Sequence, residues 1–286
     1  ARDYRGSPEP GRGMRRVLIA GCGYVGSALA ARLLEDGCEV WGMRRHPDAL
    51  PSGVRPLAAD LGDPATLRAL PTELDTVFYT AGADGSTDVA YRAAYVVGLG
   101  NLLAALPHAP RRIIFTSSTS VYGQSGGEWV DEDSTTEPAG FGGRRMLEGE
   151  ALARAAGGVV LRLGGIYGPG RTRYIDQVRG GDAECPAEPT ITNRIHRDDC
   201  AGALRHLMLL PDPRPVYLGV DRAPTEVCEV LGWLAERLGK EPPRRGATGG
   251  RTRGNKRCRS DRLVASGYDF IHPTYRQGFE ALLAAT

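Results

Sequence analysis

Two short stretches carry residue types whose spacing can do chemistry. The first, Gly21-Cys22-Gly23-Tyr24-Val25-Gly26, begins at the last residue of the apolar run RRVLIAG (15–21). Gly21 permits a tight turn, Gly23 lets the backbone approach a pyrophosphate, and Gly26 lets a helix pack closely on a strand. G-x-G-x-x-G in that position reads as a dinucleotide-binding turn. The helix that opens at Tyr24 and Val25 supplies free N–H groups and a partial positive charge. The second stretch is GFGGRRMLEGE (140–150), where Phe141 and Arg145 lie four apart and share a helix face. A ring without a hydroxyl and a cation that keeps its proton can shape and charge a site, but neither can hand over a proton there.

The end of the second strand candidate, CEVWGM (38–43), is followed by Arg44-Arg45. A cofactor with a free ribose 2′-hydroxyl is normally held here by Asp or Glu. Paired guanidinium hydrogen bonds suit a 2′-phosphate instead. The expected cofactor is therefore NADP, with NAD the alternative if both arginines are solvated surface residues. Asp60-Leu61, closing the third strand, is expected at the adenine edge, although Asp60 serves equally as a helix cap. Ala81-Gly82, closing the fourth, is expected on the same cofactor wall.

The elements that must position these residues alternate. RRVLIAG (15–21), CEVWGM (38–43), RPLAAD (55–60), DTVFYTAG (75–82), RRIIFTSS (111–118) and GVVLRLGG (158–165) are strand candidates, with helical spacing between most of them. Near-continuous apolar strands alternating with helices predict an α/β fold, a Rossmann-type doubly wound parallel sheet. A polar lead-in (1–13), a dinucleotide-binding domain (14–165) and a smaller C-terminal substrate lobe (166–286) follow from the change in pattern, the two larger parts being open to interleaving.

The bulk numbers narrow the function classes. A formal charge of +2 over 286 residues gives no field for nucleic acid or an anionic membrane. No stretch is long and apolar enough to span a bilayer, and VLIAG after Arg15-Arg16 is too short for an export signal, so a cytoplasmic location is expected. The six cysteines contain no C-x-x-C pair, which predicts reduced, mostly buried thiols and no disulfide framework. No His/Cys/Asp cluster has metal spacing, so no metal is expected.

With Thr116-Ser117-Ser118-Thr119-Ser120-Val121-Tyr122-Gly123 the chain resembles the extended short-chain dehydrogenase/reductase family, its NAD-dependent epimerase/dehydratase group. GCGYVG (21–26), EWVDEDS (128–134), LRLGGIYGPGR (161–171), NRIHRDDCAGAL (193–204) and HPTYRQGFEAL (272–282) extend the likeness from Arg15 onward. The resemblance implies a catalytic Ser or Thr at Ser118, beside a Tyr-x-x-x-Lys pair and a supporting Asn. The best register puts Phe141 at the Tyr, Arg145 at the Lys and Tyr95 at the Asn. Residues 139–147 contain neither Tyr nor Lys in any register, so the family's acid/base is missing there. Arg145 can still bond ribose hydroxyls.

Tyr122 and Tyr167 are substitute candidates for the catalytic hydroxyl, each equally readable as a packing residue. Arg171 and Asn193 are candidate substrate contacts. His196 with Asp198-Asp199 reads mainly as a helix start. Arg244, Arg245, Arg251, Arg253, Lys256, Arg257 and Arg259 form a run that either clamps an anionic substrate or is solvated; without interleaved aromatics it is not a nucleic-acid surface. A small-molecule substrate is the expected partner, and the resemblance suggests a homodimer. Two readings remain open: an atypical NAD(P)-dependent enzyme built around Ser118, or a dinucleotide-binding regulator without turnover.

Overall fold

The computed structural model describes residues 14–246 and 254–285. The lead-in 1–13 lies outside them, as do Arg251 and Arg253 of the basic run. Seven parallel strands form one sheet. Its members include β1 (Arg16–Ala20), β2 (Glu39–Arg44), β3 (Arg55–Ala58), β4 (Thr76–Tyr79) and β5 (Arg112–Ser118). The order across the sheet is Val216–Gly219, Val159–Leu163, β5, β4, β1, β2, β3. Chain order therefore runs outward in opposite directions from the boundary between β1 and β4, the topological switch point where such sheets bind ligands.

The strands are apolar on both faces because both faces are covered. Val17, Leu18, Ile19 and Ala20 of β1 have no exposed surface. On one face the sheet packs on α1 (Tyr24–Glu35) and on the helix Arg197–Leu209. On the other lie α2 (Asp88–Arg92), a π turn (Ala93–Val97) and α3 (Gly98–Ala105), which run on as one helical stretch, followed by α4 (Phe141–Ala155). The start of α4 is rich in glycine, a poor helix former. Close packing explains it: a Cβ on Gly143 would lie 2.3 Å from the carbonyl oxygen of Ser120.

The chain beyond residue 166 both completes the sheet, through Val216–Gly219, and builds a separate cluster. In that cluster Tyr167 and Phe279 pack among the helices Arg173–Gly180, Val227–Leu238 and Tyr275–Ala284. The cysteine expectation is corrected here. Cys185 and Cys228, 43 residues apart, form a disulfide, while Cys22, Cys38, Cys200 and Cys258 are free and buried. A pair so far apart leaves no spacing signal for the sequence to show. Among the described residues no helix is long and apolar enough to cross a membrane.

Candidate functional site at the switch point

A cleft of about 840 Å³ opens at the carboxyl ends of β1, β2, β4 and β5. Gly21, Gly23, Tyr24 and Val25 form its floor. Gly21 has φ of +85°, and a Cβ there would sit 2.3 Å from the backbone of Ala81. Only glycine lets the β1 turn and the end of β4 come this close. Gly26 faces inward, its missing Cβ leaving room for Thr80 and the Gly21 carbonyl. A Cβ on Gly23 would meet nothing nearer than 3.8 Å, and one on Gly82 nothing within 4 Å, so both glycines are bare toward open space. Gly23 caps α1 without a side-chain hydrogen bond, leaving the first N–H groups of the helix for an anion. These features fit a dinucleotide pyrophosphate.

Arg44, Arg45, Asp60, Leu61, Ala81 and Gly82 all border the same cleft. Arg45 pairs with Asp84 at 2.8 Å, both side chains being more than half exposed. Arg44 has no ion-pair partner among the described residues. Asp60 does not cap the next helical segment, which Asp63 caps by accepting from Ala65 N–H; the Asp60 Oδ1 instead accepts from Gly62 N–H at 2.8 Å in the preceding turn.

Ser118 closes β5 and borders the cleft. Its Oγ accepts from Ser120 N–H at 3.1 Å, so the hydroxyl proton stays available to a ligand. Behind it lies a network that sequence reasoning missed. Ser117 donates to buried Glu150 at 2.6 Å, and Arg162 grips the same carboxylate at 2.9 and 2.7 Å. Arg162 also donates to the Tyr122 hydroxyl at 2.7 Å. Glu150 belongs to α4, so the network ties that helix to the strand carrying Ser118.

Met146, not Arg145, borders the cleft, and Gly142 packs on Tyr91, itself a cleft residue. Phe141 and Arg145 turn toward α2 instead. The Phe141 ring meets Tyr91 edge-on with centroids 5.4 Å apart, and Arg145 takes both oxygens of Asp88 at 2.8 and 2.9 Å. One residue rotates a helix by about 100°, which moves a side chain from one neighbour to the next. Neither Gly142 nor Met146 has a transferable proton. Tyr95 does border the cleft, in the π turn, where its hydroxyl accepts from Ala83 N–H at 3.3 Å.

Several candidates lie elsewhere. Tyr122 is buried and donates to the Asp131 carbonyl at 2.7 Å, a packing role. Burial raises its phenol well above the ordinary value. Tyr167 is buried against Phe279 and His196, away from the cleft lining. Asn193 spends both ends of its amide on the backbone of Lys256 and Cys258, at 2.9 and 2.7 Å. Arg171 does reach the cleft, its guanidinium 4.1 Å from the centre of the Tyr24 ring.

Four of the five described cations of the basic run are committed locally, while Arg244 is exposed. Lys256 is buried on the Tyr122 carbonyl, Arg257 donates to Gly127, Arg245 pairs with Glu226, and Arg259 stacks on Trp129. His196, Asp198 and His272 bring ligand-capable atoms within 4.8 Å of one another, a grouping the sequence spacing did not foretell. His196 Nδ1 nevertheless already accepts Asp198 N–H at 3.1 Å as a helix cap, and Arg197 pairs with Asp198.

A parallel sheet with a glycine turn and a dinucleotide-shaped cleft at its switch point defines a Rossmann-type nucleotide-binding protein. Residues 17–180 match the NAD dependent epimerase/dehydratase family, and the chain belongs to that family. A protein from Methylobacillus flagellatus, provisionally assigned as an NAD-dependent epimerase/dehydratase, is 42% identical. Its structure superposes with a TM-score of 0.83, over 96% of this chain and 99% of that one. Protein YeeZ of Escherichia coli is 31% identical over 80% of this chain and 86% of its own length. The dTDP-6-deoxy-L-talose 4-dehydrogenase (NAD(P)(+)) of Kitasatospora kifunensis is 34% identical over 55% of this chain, and the match spans 54% of that enzyme. Solved structures of the same fold hold NAD or NADPH.

Proposed function

We propose that the protein is an oxidoreductase or epimerase-like enzyme that prefers NADP to NAD and acts on a nucleotide-sugar-like or other small polar substrate. The observation that carries the cofactor preference is the pair Arg44 and Arg45 on the cleft wall at the end of β2. A carboxylate there would repel a 2′-phosphate, whereas a guanidinium binds it through paired hydrogen bonds. When bound, the cofactor supplies hydride chemistry. The chain's own residues bind and orient: the glycine floor takes the pyrophosphate, Ser118 offers a hydroxyl proton to a substrate oxygen, and Arg171 offers charge for an anionic substrate group.

Calorimetric titration with NADP and NAD tests the preference, and tighter binding of NAD would overturn it. NADPH consumption over a panel of nucleotide ketosugars tests turnover, with Ser118→Ala expected to slow it.

A dinucleotide-binding regulator is the second reading. It is favoured by Met146, the residue of α4 that borders the cleft, which has no proton to transfer. It predicts tight NADP binding without turnover of any panel member.

A further inference from the structure

Tyr91 reaches the cleft from α2 and fills the volume into which a side chain at position 142 would project. A Cβ built on Gly142 would lie 3.1 Å from Cε1, 3.5 Å from Cδ1 and 3.7 Å from Cζ of the Tyr91 ring. The edge of the ring at Cε1 therefore stands closest to the glycine, with the hydroxyl-bearing Cζ next to it. A large residue at 142 and Tyr91 in its present place exclude one another.

The ring is held on further sides. Phe141 meets it edge-on at 5.4 Å with planes at 89°, and Tyr95 lies 5.3 Å away at 62°. The five residues of α2 form the free end of the helical stretch that continues through the π turn into α3. They are pinned from α4 through Phe141 on Tyr91 and Arg145 on Asp88, three residues earlier. Phe141 and Arg145 thus share a helix face because both grip the helix that carries Tyr91.

The hydroxyls of the other tyrosines near the cleft are either hydrogen-bonded or buried. Tyr122 is tied to Asp131 and Arg162; Tyr95 only accepts from Ala83 N–H and keeps its own proton, but its side chain is buried where that of Tyr91 is partly exposed. The Tyr24 hydroxyl is buried, with Arg171 and Arg197 over its ring. No described residue shares a hydrogen bond with the Tyr91 hydroxyl, and it is not sealed from solvent as the Tyr24 hydroxyl is.

We propose that Tyr91 is a catalytic residue of this cleft, its phenol supplying the proton-bearing group that the cleft side of α4 lacks. The proposal rests on the enzyme reading above. In the reducing direction the phenol proton passes to the substrate carbonyl oxygen while the carbonyl carbon accepts a hydride from a reduced nicotinamide dinucleotide. The products are the alcohol, the oxidised dinucleotide and a phenolate, which regains its proton from water.

Three measurements on the full chain test this. With 3-fluorotyrosine incorporated and the Tyr91 resonance assigned by Tyr91→Phe, saturating NADP should move that fluorine resonance; a resonance unmoved at saturation would overturn the proposal. In NADPH-dependent reduction of nucleotide ketosugars, Tyr91→Phe keeps the ring packing and should lower kcat on the order of 100-fold or more. NADP affinity should stay within about threefold, since the ring remains. Unchanged kcat would overturn the role of Tyr91 while leaving the enzyme reading intact. Lack of turnover by the unmodified protein would sink the enzyme reading and the proposal with it. Independently of cofactor, Gly142→Tyr should lower Tm markedly in the native background and much less beside Tyr91→Ala. Equal losses in the two backgrounds would show that Tyr91 does not fill that volume, against the proposal.

Discussion

Arg145 holds Asp88 with two parallel hydrogen bonds, Nε to Oδ1 at 2.8 Å and Nη2 to Oδ2 at 2.9 Å. A further nitrogen of the same guanidinium reaches Glu148 at 2.7 Å. The pairing keeps the Asp88 carboxyl below the usual range, the hydrogen bonds from Arg145 being the main cause. Asp88 opens α2 within its first turn, where negative charge also suits the helix dipole. The contact therefore fixes the position of a short helix on the cleft wall. A lysine at 145 would keep the charge and lose the fork.

The arginines at the end of β2 give the first prediction. Charge reversal at Arg44, as Arg44→Asp, should weaken NADP binding by roughly 10- to 100-fold, the range expected for losing charge-assisted hydrogen bonds. NAD binding should change far less. Calorimetric Kd values for both cofactors check this, and equal losses for the two would show that Arg44 does not meet the 2′-phosphate.

The buried network behind Ser118 gives the second. Glu150 is 2% and Arg162 4% exposed. Glu150→Ala strands the Arg162 charge and one Ser117 donor inside the protein, which should cost about 3–5 kcal/mol of folding stability. Urea denaturation measures it. Removing both charges together, in Glu150→Met with Arg162→Met, should cost less than the single change, because no uncompensated ion is left.

The acid limb of stability gives the third. Burial, with repulsion from His272, lowers the His196 imidazole from 6.5 to about 4. Asp198 opposes the shift, while Arg197 and Arg32 add to it. Above 6.5 both folded and unfolded states hold a neutral ring, and its contribution is complete. As pH falls from 6.5 toward 4 the unfolded chain binds the proton first, so stability is lost across that window. His196→Asn keeps an acceptor for Asp198 N–H and removes the titration. Its stability should fall less steeply between those pH values, as read from Tm against pH.

The disulfide gives the fourth. Cys185 and Cys228 close a loop with a separation of 43 residues. Reduction should destabilise the protein by about 2–4 kcal/mol, the common effect of such a crosslink. Thermal unfolding with and without a thiol reductant measures the loss, and Cys228→Ser should reproduce it and then respond no further to reductant.

The sheet and its turn are legible in the sequence, because apolar strands and G-x-G-x-x-G are local patterns. Arg44, Asp60 and Ala81 follow from them, since strand ends must converge at the switch point. The register of α4 was harder to read. Arg145 and Met146 differ by one position, and only the packing of α2 decides which borders the cleft. The roles of Glu150 and Asn193 depend on residues 12 and more than 60 positions away, Arg162 for one and Lys256 with Cys258 for the other. Tyr91 carries no motif at all. Its place is legible only through the glycine it covers.

The π turn at Ala93–Val97 separates α2 from α3. Such a turn accommodates about one residue more than an α-helix would over the same length. It sets the angular phase of Asp88 and Tyr91 relative to Leu99 and Leu102, which are fully buried against the sheet. Deleting a single residue between 93 and 97 would rewind the stretch to regular α-helix and swing α2 by about 100° about its axis. Leu99 and Leu102 would keep their anchorage, while Tyr91 would leave Gly142 and Asp88 would leave Arg145. The cleft wall is thus tuned by a one-residue length of backbone, a dial that no side-chain substitution in α2 can turn.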